Sequence, residues 1–290
     1  MNIRGLGVAM VTPFKKNGEI DFDAISRILE HIIAGGANYL VVMGTTAESV
    51  TLNQAEKQAV IDRIVAVNKR RLPLIIGVGG NNTQAVAAEL AEGDFQHFQA
   101  ILSVSPYYNK PDQRGIYAHY ECIANESPLP IILYNVPART GSNMDAETTL
   151  RLAECKNIIG IKEASNNLLQ VQEIIKYAPS DFQIVSGDDA LTLPMVLAGA
   201  VGAISVLGNA LTAPFMKMIN SAINKDVEEA YGTYYSLFDI FSLIFEEGNP
   251  TGIKALMEMF SLCEKTVRLP LMEASPDLMN KMRASVKHIV

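Results

Sequence analysis

Eight short apolar segments recur along the chain, and longer segments with helical periodicity fill most of the spaces between them. Successive segments begin about thirty residues apart, which is the usual length of a strand–helix–strand unit. The predicted strands are residues 7–12, 39–43, 74–77, 100–104, 131–135, 158–162, 183–186 and 202–206. Eight such units predict the α/β class and, within it, a closed parallel barrel of the (β/α)8 or TIM-barrel type.

An open, doubly wound sheet is the competing architecture for the same alternation of strands and helices. That fold usually carries a glycine-rich dinucleotide-binding turn directly after its first strand. The corresponding residues here, 12–15, read Thr-Pro-Phe-Lys and contain no glycine. Because 290 residues also fit a single barrel, the sequence favours the closed form.

A C-terminal helical extension is predicted beyond the eighth unit. We expect the barrel to occupy residues 1–224 and the extension to occupy residues 225–290. Ser275 and Pro276 should begin the last helix as its N-cap and first helical residue. The helical patterns of the extension cover residues 227–245, 251–260 and 278–289.

A capping box is predicted near the start of the chain. Residues 51–54 read Thr-Leu-Asn-Gln, which is typical of the first turn of a helix. We expect that helix to end near Asn68.

Charge and hydropathy exclude several classes of protein. The net charge is -7, whereas a nucleic-acid-binding protein needs a basic face, so we expect no nucleic-acid partner. No stretch reaches the roughly 18 consecutive apolar residues of a membrane-spanning helix, and no apolar signal region follows the amino terminus. We therefore expect no membrane partner.

Cysteines and histidines are few and scattered. Cys122, Cys155 and Cys263 offer no disulfide framework, which suits a reducing cytosol and predicts a cytoplasmic protein. The four histidines, at positions 31, 97, 119 and 288, lack ligand spacing. We therefore expect no metal site and no cofactor.

The sixth predicted strand ends in a lysine. Residues 158–161, Ile-Ile-Gly-Ile, read as a strand buried on both faces, and Lys162 follows them. Desolvation disfavours the charged form of an amine, and a neutral amine can attack a ketone. Lys162 is therefore a candidate Schiff-base nucleophile. The alternative is a strand-end lysine in an ion pair with Glu163 or another carboxylate.

Other polar residues follow the predicted strands, where the active site of such a barrel lies. The hydroxyl and N–H groups of Thr45 and Thr46 suit a small carboxylate, although a plain capped turn would read the same way. Tyr134 lies at the end of the predicted strand that precedes the strand of Lys162, so its phenol is placed to transfer protons to and from a substrate there. The alternative for Tyr134 is packing at the barrel rim, and for Tyr107 and Tyr108 it is an aromatic surface pair.

Eight short motifs follow one another along the chain: residues 11–14 (VTPF), 44–48 (GTTAE), 106–111 (PYYNKP), 134–141 (YNVPARTG), 160–165 (GIKEAS), 186–189 (SGDD), 202–206 (GAISV) and 249–250 (NP). Through these motifs the chain resembles the dihydrodipicolinate synthase family of pyruvate-dependent class I aldolases along essentially its whole length. The resemblance implies a (β/α)8 lyase that condenses pyruvate with L-aspartate 4-semialdehyde in the diaminopimelate pathway of lysine biosynthesis.

The same resemblance implies a role for each matching residue. Lys162 would form the Schiff base, and Tyr134 would act as acid and base with Thr46 and Tyr108 as its proton relay. Arg139 would receive the carboxylate of the semialdehyde, which a guanidinium can bind through two parallel hydrogen bonds. The residues implied in holding pyruvate are Thr45, Thr46, Gly187 and Ile204. Tyr108 would reach the site of a neighbouring subunit in a homotetramer built from two dimers.

Two alternative functions remain at this point. Aldolases that cleave N-acetylneuraminate or 2-keto-3-deoxy sugar acids resemble the chain at the lysine and tyrosine. The sialic-acid branch typically has Ser-Thr-Gly in the threonine turn and lacks the arginine, whereas this chain has Thr-Thr-Ala and Arg139. The other alternative is a 2-oxo acid sensor without turnover, which steady-state assays would distinguish.

Feedback by lysine is expected to be weak or absent. Inhibited family members bind lysine with a serine, two histidines, an asparagine, a glutamate and a tyrosine. Ser49, Asn81 and Tyr107 match this pattern, whereas Gln54, Lys57 and Ala85 replace the two histidines and the glutamate. Alanine cannot pair with the ammonium of the effector, and Lys57 adds a like charge.

Overall fold

The computed structural model describes residues 1–287, and over these residues the chain forms eight strands and twelve helices. The strands are β1 (Gly5–Ala9), β2 (Tyr39–Val42), β3 (Leu74–Gly77), β4 (Ala100–Val104), β5 (Ile131–Asn135), β6 (Ile158–Glu163), β7 (Gln183–Ser186) and β8 (Gly202–Ser205). They form a closed barrel in sequence order, with parallel pairing at each interface that the register defines. The predicted (β/α)8 barrel is confirmed.

The helices alternate with the strands and then continue alone at the carboxyl end of the chain. They are α1 (Phe22–Ala34), α2 (Gln54–Asn68), α3 (Thr83–Glu92), α4 (Gln113–Glu126), α5 (Pro137–Thr140), α6 (Ala146–Ala153), α7 (Leu168–Tyr177), α8 (Thr192–Ala198), α9 (Thr212–Ile223), α10 (Val227–Glu246), α11 (Thr251–Met259) and α12 (Pro276–Val286). None of these helices, within the described residues, is both long and apolar enough to cross a membrane.

The chain divides into two compact units. The central unit consists of Met1–Arg4 and Pro73–Ile204, and the terminal unit consists of Gly5–Leu72 and Ser205–Val290. In the terminal unit α10 packs against α9, α11 and α12. Of these helices, α10, α11 and α12 correspond to the helical patterns predicted for the extension. The boundary between a barrel at 1–224 and an extension at 225–290 stays a prediction.

In the central unit, the register between β5 and β6 positions the candidate nucleophile. Tyr134 lies opposite Lys162, and Asn135 lies opposite Glu163 on the next pair of residues. The strands are apolar and buried on both faces, as in other parallel barrels, until they reach these polar ends. Two polar pairs therefore stand side by side at the carboxyl ends of neighbouring strands.

In the terminal unit β1 begins and ends earlier than predicted. It covers Gly5–Ala9 rather than 7–12. The backbone N–H of Val11 donates to the side-chain oxygen of Asn209 at 3.1 Å. The amide of Asn209 in turn donates to the carbonyl of Ala9 at 2.8 Å. The N–H of Met10 still donates to the carbonyl of Val41 on β2 at 3.0 Å, so the side chain of Asn209 replaces the neighbouring strand only from Val11 onward.

The predicted capping box at residues 51–54 is wrong by two residues. The N-cap of α2 is Asn53, which exchanges hydrogen bonds with Glu56 in a complete capping box. The hydroxyl of Thr51 donates instead to the carbonyl of Glu48 at 2.9 Å, inside the preceding 3₁₀ turn. The predicted end of this helix at Asn68 is confirmed.

The start of α12 is confirmed in detail. Ser275 is the N-cap, its hydroxyl accepts from the N–H of Leu278, and Pro276 is the first helical residue. The helix ends at Val286. Positions 288 and 289 of the predicted helix lie outside the described residues.

Candidate active site

Lys162 and Tyr134 form the centre of the candidate site. Both side chains are buried at the ends of neighbouring strands, with Lys162 only 4% exposed. The ammonium nitrogen Nζ of Lys162 lies 4.3 Å from the centroid of the Tyr134 ring, over its face. An aromatic face attracts a cation at this distance. The phenol ring is therefore the immediate neighbour of the candidate nucleophile.

The ion-pair alternative for Lys162 is not what the structure shows. Within residues 1–287, no carboxylate lies within salt-bridge distance of its ammonium group. Glu163 accepts its hydrogen bonds from Asn135, Ser165 and Gln170 instead. Burying a lysine without a carboxylate partner costs free energy, so such a residue is expected mainly where its amine takes part in chemistry.

Gly187 lies against the side chain of Lys162. A Cβ atom at position 187 would come within 2.9 Å of Cε and 3.0 Å of Cγ of Lys162. The N–H of Gly187 donates to the carbonyl of Glu163 at 2.8 Å. Any larger residue would displace the lysine stem, so glycine is required here for close approach rather than for a turn. Ile204, the other predicted backbone contributor, is fully buried on β8.

Arg139 and Tyr108 lie on connecting segments after strands β5 and β4. Arg139 is exposed in the single turn α5, which Gly141 ends in the left-handed conformation with φ 76°. Tyr108 is 88% exposed and has φ 72°, which is rare for an aromatic residue. The roles of these two residues in substrate binding and proton relay stay predictions.

The predicted threonine pair belongs to the terminal unit, in a 3₁₀ turn after β2. Thr45 is exposed and Thr46 is buried, and the hydroxyl of Thr46 accepts from the side-chain amide of Asn249 at 3.0 Å. The left-handed residues of this segment are Met43 (φ 58°) and Glu48 (φ 52°). Gly44 has φ -72°, a backbone conformation that any residue can adopt.

Glu48 anchors the threonine turn inside the terminal unit. Its carboxylate accepts from Nζ of Lys254 at 2.5 Å and from the backbone N–H of Arg268 at 2.9 Å. Lys254 is 0% exposed and also donates to the carbonyl of Thr266 at 3.0 Å. Burial lowers the pKa of Lys254, and the nearby carboxylate of Glu48 opposes that shift. The turn is thus joined to α11 by a buried, hydrogen-bonded ion pair.

A second ion pair supports the same region. The guanidinium of Arg268 binds both carboxylate oxygens of Glu56, at 2.6 and 3.0 Å. The hydrogen bond from Arg268 lowers the pKa of the Glu56 carboxyl to about 2. Sequence reasoning missed both pairs. The available signal was Lys254 itself, a lysine placed among the apolar residues of α11.

We predict that Lys254→Met destabilises the protein by roughly 3–5 kcal/mol, because the substitution leaves the Glu48 charge buried without its cation. Chemical denaturation measures the loss. The double variant Lys254→Met/Glu48→Gln should recover much of it, since no lone charge then remains. Lys281→Met, at an exposed pair with Glu246, is the matched control and should leave stability nearly unchanged, because exposed ion pairs contribute little. Equal losses from Lys254→Met and Lys281→Met would contradict the prediction.

No cluster of three or more histidine, cysteine, aspartate or glutamate side chains suited to a metal ion occurs in the described part of the chain.

Comparison with known proteins gives the same family throughout. The family model described as "Dihydrodipicolinate synthetase family" matches residues 2–289. A 4-hydroxy-tetrahydrodipicolinate synthase of Flavobacterium psychrophilum is 51% identical over 98% of this chain and 98% of the relative.

Two solved structures are similar in fold over nearly the whole chain. A chloride-inhibited dihydrodipicolinate synthase of Acinetobacter baumannii, complexed with pyruvate, is 36% identical, with a TM-score of 0.94 over 99% of both chains. A monomeric dihydrodipicolinate synthase variant is 35% identical, with a TM-score of 0.95 over 98% of this chain and 96% of the other.

Proposed function

The chain belongs to the dihydrodipicolinate synthetase family, whose 4-hydroxy-tetrahydrodipicolinate synthase activity it shares, and we propose that Lys162 carries this activity as the Schiff-base residue. The enzyme is a Schiff-base-forming lyase of lysine biosynthesis, and its family's substrates are pyruvate and L-aspartate 4-semialdehyde. The single observation that supports the assignment best is the buried amine of Lys162 against the Tyr134 ring, without a carboxylate partner in the described chain.

The reaction begins when the neutral amine of Lys162 attacks C2 of pyruvate. A C–N bond forms, the carbonyl oxygen takes up a proton, and the resulting carbinolamine loses water to give the iminium. Tyr134 donates the proton that the departing hydroxyl requires in this proposal, and its ring centroid lies 4.3 Å from Nζ of Lys162.

Carbon–carbon bond formation follows from the same intermediate. Loss of a proton from C3 of pyruvate gives an enamine, and C3 then attacks the aldehyde carbon of the semialdehyde. The aldehyde oxygen takes up a proton and becomes the hydroxyl of the product. The amino group of the semialdehyde then attacks C2 and displaces Lys162, which closes the ring. One water leaves for each pair of substrates, and the lysine is regenerated.

The remaining family residues bind pyruvate and move protons in this proposal. Thr45 and Thr46 hold the pyruvate carboxylate, with the Thr46 hydroxyl oriented by the amide of Asn249. Gly187 and Ile204 supply backbone groups near the substrate. Gly187 is suited to this because it is already in contact with the stem of Lys162. Thr46 and Tyr108 form the proton relay with Tyr134.

We predict that the wild-type enzyme turns over pyruvate and L-aspartate 4-semialdehyde in an assay coupled to the next reductase of lysine biosynthesis. Lys162→Ala should lower kcat by at least about a thousandfold, the scale for removing a nucleophile. Lys162→Arg keeps the charge but cannot form the imine, so it should be as inactive as alanine. Cleavage of N-acetylneuraminate, run beside this assay, should be absent. Sialic-acid cleavage without synthase turnover would place the enzyme with the lyases instead.

Arg139 selects the second substrate in this proposal. Arg139→Ala should reduce kcat/KM for the semialdehyde. The loss should correspond to roughly 2–4 kcal/mol of activation free energy, the scale for truncating one partner of a desolvated charge pair. Formation of the pyruvate imine should be nearly unchanged. The kcat/KM of Arg139→Lys should lie between those of the wild type and Arg139→Ala, because lysine keeps the charge but loses the paired hydrogen bonds. An equal loss of imine formation and turnover would assign Arg139 a different role.

Tyr108 acts in the site of a neighbouring subunit, within a homotetramer made of two dimers. Two observations support this role. The ring is 88% exposed in the single chain, and its left-handed backbone is unfavourable for a bulky residue. Backbone strain of this kind occurs most often at functional sites.

A cytoplasmic location, predicted from the cysteines, completes the proposal.

We predict that mixing Lys162→Ala with Tyr108→Phe restores activity by subunit exchange. Each mixed dimer would hold one complete site of two, because Tyr108 and Lys162 of one site come from different chains. Random exchange at equal amounts makes half of the dimers mixed, so recovery should approach about a quarter of wild-type activity. Sedimentation and mass spectrometry of the mixture establish exchange. Proven exchange without recovery would contradict the shared site.

We predict weak or no inhibition by L-lysine. In the central unit the effector-site match is partial: Asn81 donates to the carbonyl of Tyr107 at 3.2 Å, but Ala85 offers no carboxylate. Activity should be titrated with L-lysine at saturating pyruvate. Half-inhibition below about 1 mM, an affinity worth roughly 4 kcal/mol, would contradict the prediction.

A matched variant tests the same residues in the opposite direction. The triple variant Gln54→His/Lys57→His/Ala85→Glu gives the three differing positions the residues found in lysine-inhibited family members. This variant should become sensitive to lysine, because it removes a like charge and supplies a carboxylate for the ammonium. Sensitivity of the wild type equal to that of the triple variant would show that these positions do not decide inhibition.

A further inference from the structure

A buried polar pair stands directly beside the reacting pair. Asn135 follows Tyr134 on β5, Glu163 follows Lys162 on β6, and the register places Asn135 opposite Glu163. Successive side chains of a strand point to opposite faces of the sheet. The Asn135–Glu163 pair is therefore on the reverse face of the two strand ends that carry the nucleophile and the phenol. Glu163 is 1% exposed and Asn135 is fully buried.

Within the described residues, every hydrogen bond that Glu163 accepts comes from a neutral donor. The amide of Asn135 lies 3.1 and 3.0 Å from its two carboxylate oxygens. The backbone N–H of Ser165 donates at 2.7 Å, and the amide of Gln170 donates at 3.1 Å. Burial raises the pKa of the Glu163 carboxyl, and these three donors oppose that shift. Both oxygens of Glu163 thus accept hydrogen bonds from neutral groups.

The same donors connect Glu163 to the segment that follows Arg139. The side-chain oxygen of Asn135 accepts from the N–H of Met144 at 3.0 Å. Its amide also lies 2.8 Å from the side-chain oxygen of Asn143, and the amide of Asn143 donates to Gln170 at 2.8 Å. One network therefore joins the ends of β5 and β6, the loop after α5, and the start of α7.

We propose that Glu163, held by Asn135, is a positioning residue that fixes the strand ends of Lys162 and Tyr134 for imine formation. This inference rests on the proposed role of Lys162. Glu163 acts through the backbone and does not touch pyruvate. Shifts of about 1 Å in reacting groups can lower rates about a hundredfold, so a network one residue away can affect the chemistry strongly.

A substitution that keeps the shape of Glu163 tests its acceptor role. Glu163→Gln replaces one oxygen by an NH₂ group, which then faces the amide donors of Asn135 and Gln170. We expect the rate of imine formation and kcat to fall together by about 10- to 100-fold. The rate of imine formation is measured by quenching the reaction with pyruvate at successive times with borohydride.

Asn157 provides the matched control at the opposite end of the same strand. It directly precedes β6, and its side-chain amide donates to the carbonyls of Ala124, Ser127 and Leu129 at 2.9, 3.0 and 3.3 Å. Asn157→Ala should lower the melting temperature but leave kcat and imine formation within about twofold. A purely structural role for Glu163 predicts instead that both variants lose activity in proportion to their loss of melting temperature.

The outcomes separate this inference from the proposed function. Wild-type enzyme that forms no imine on Lys162 would overturn both. The positioning role alone would be overturned if Glu163→Gln formed the imine at a rate within about twofold of wild type. It would also be overturned if Asn157→Ala, at the same melting temperature, lost as much of that rate as Glu163→Gln. Should Glu163→Gln fail to fold, Gln170→Ala removes one donor without adding another. It should slow imine formation several-fold, and an unchanged rate would overturn the inference.

Discussion

Backbone pairing between β5 and β6 places Tyr134 opposite Lys162, and the chemistry of the enzyme depends on that register. The register includes an irregularity between Ile131 and Ile132, near the start of β5. Because side chains alternate along a strand, a one-residue slip would turn each strand end to its other face. The strand ends are therefore the part of the barrel where small errors in pairing would matter most.

Three buried ionisable groups have three different kinds of partner in this protein. Lys254 is paired with Glu48 in the terminal unit, which fixes the threonine turn to the C-terminal helices. Glu163 in the central unit has neutral donors only. Lys162 has an aromatic face beside it and no carboxylate within the described residues. The first arrangement holds the threonine turn, the second is proposed to position the strand ends, and the third leaves an amine available for reaction.

The sequence was sufficient for the fold and for the central pair of the site. Strand spacing predicted the closed barrel, and the apolar run before Lys162 predicted a buried strand-end lysine beside Tyr134. Both predictions needed only local pattern and the order of neighbouring strands. The roles of Thr46 and Arg139 came from family resemblance and remain proposals.

Long-range side-chain pairs were beyond sequence reasoning. Glu48 and Lys254 are separated by about two hundred residues, and no periodicity links a turn after β2 to a position in α11. The Asn135–Glu163 network was missed for a different reason. Both residues were visible at strand ends, but the face on which each side chain lies depends on the exact register. The end of β1 was misplaced because a side chain, that of Asn209, takes over from the sheet.

The most direct test of this account is to trap the covalent intermediate. The enzyme is reduced with borohydride in the presence of pyruvate, digested, and mapped by mass spectrometry. We expect one pyruvate-derived adduct per chain, located on Lys162 and absent when pyruvate or borohydride is omitted. An adduct on a different lysine, or turnover without any trapped adduct, would contradict the central role of Lys162.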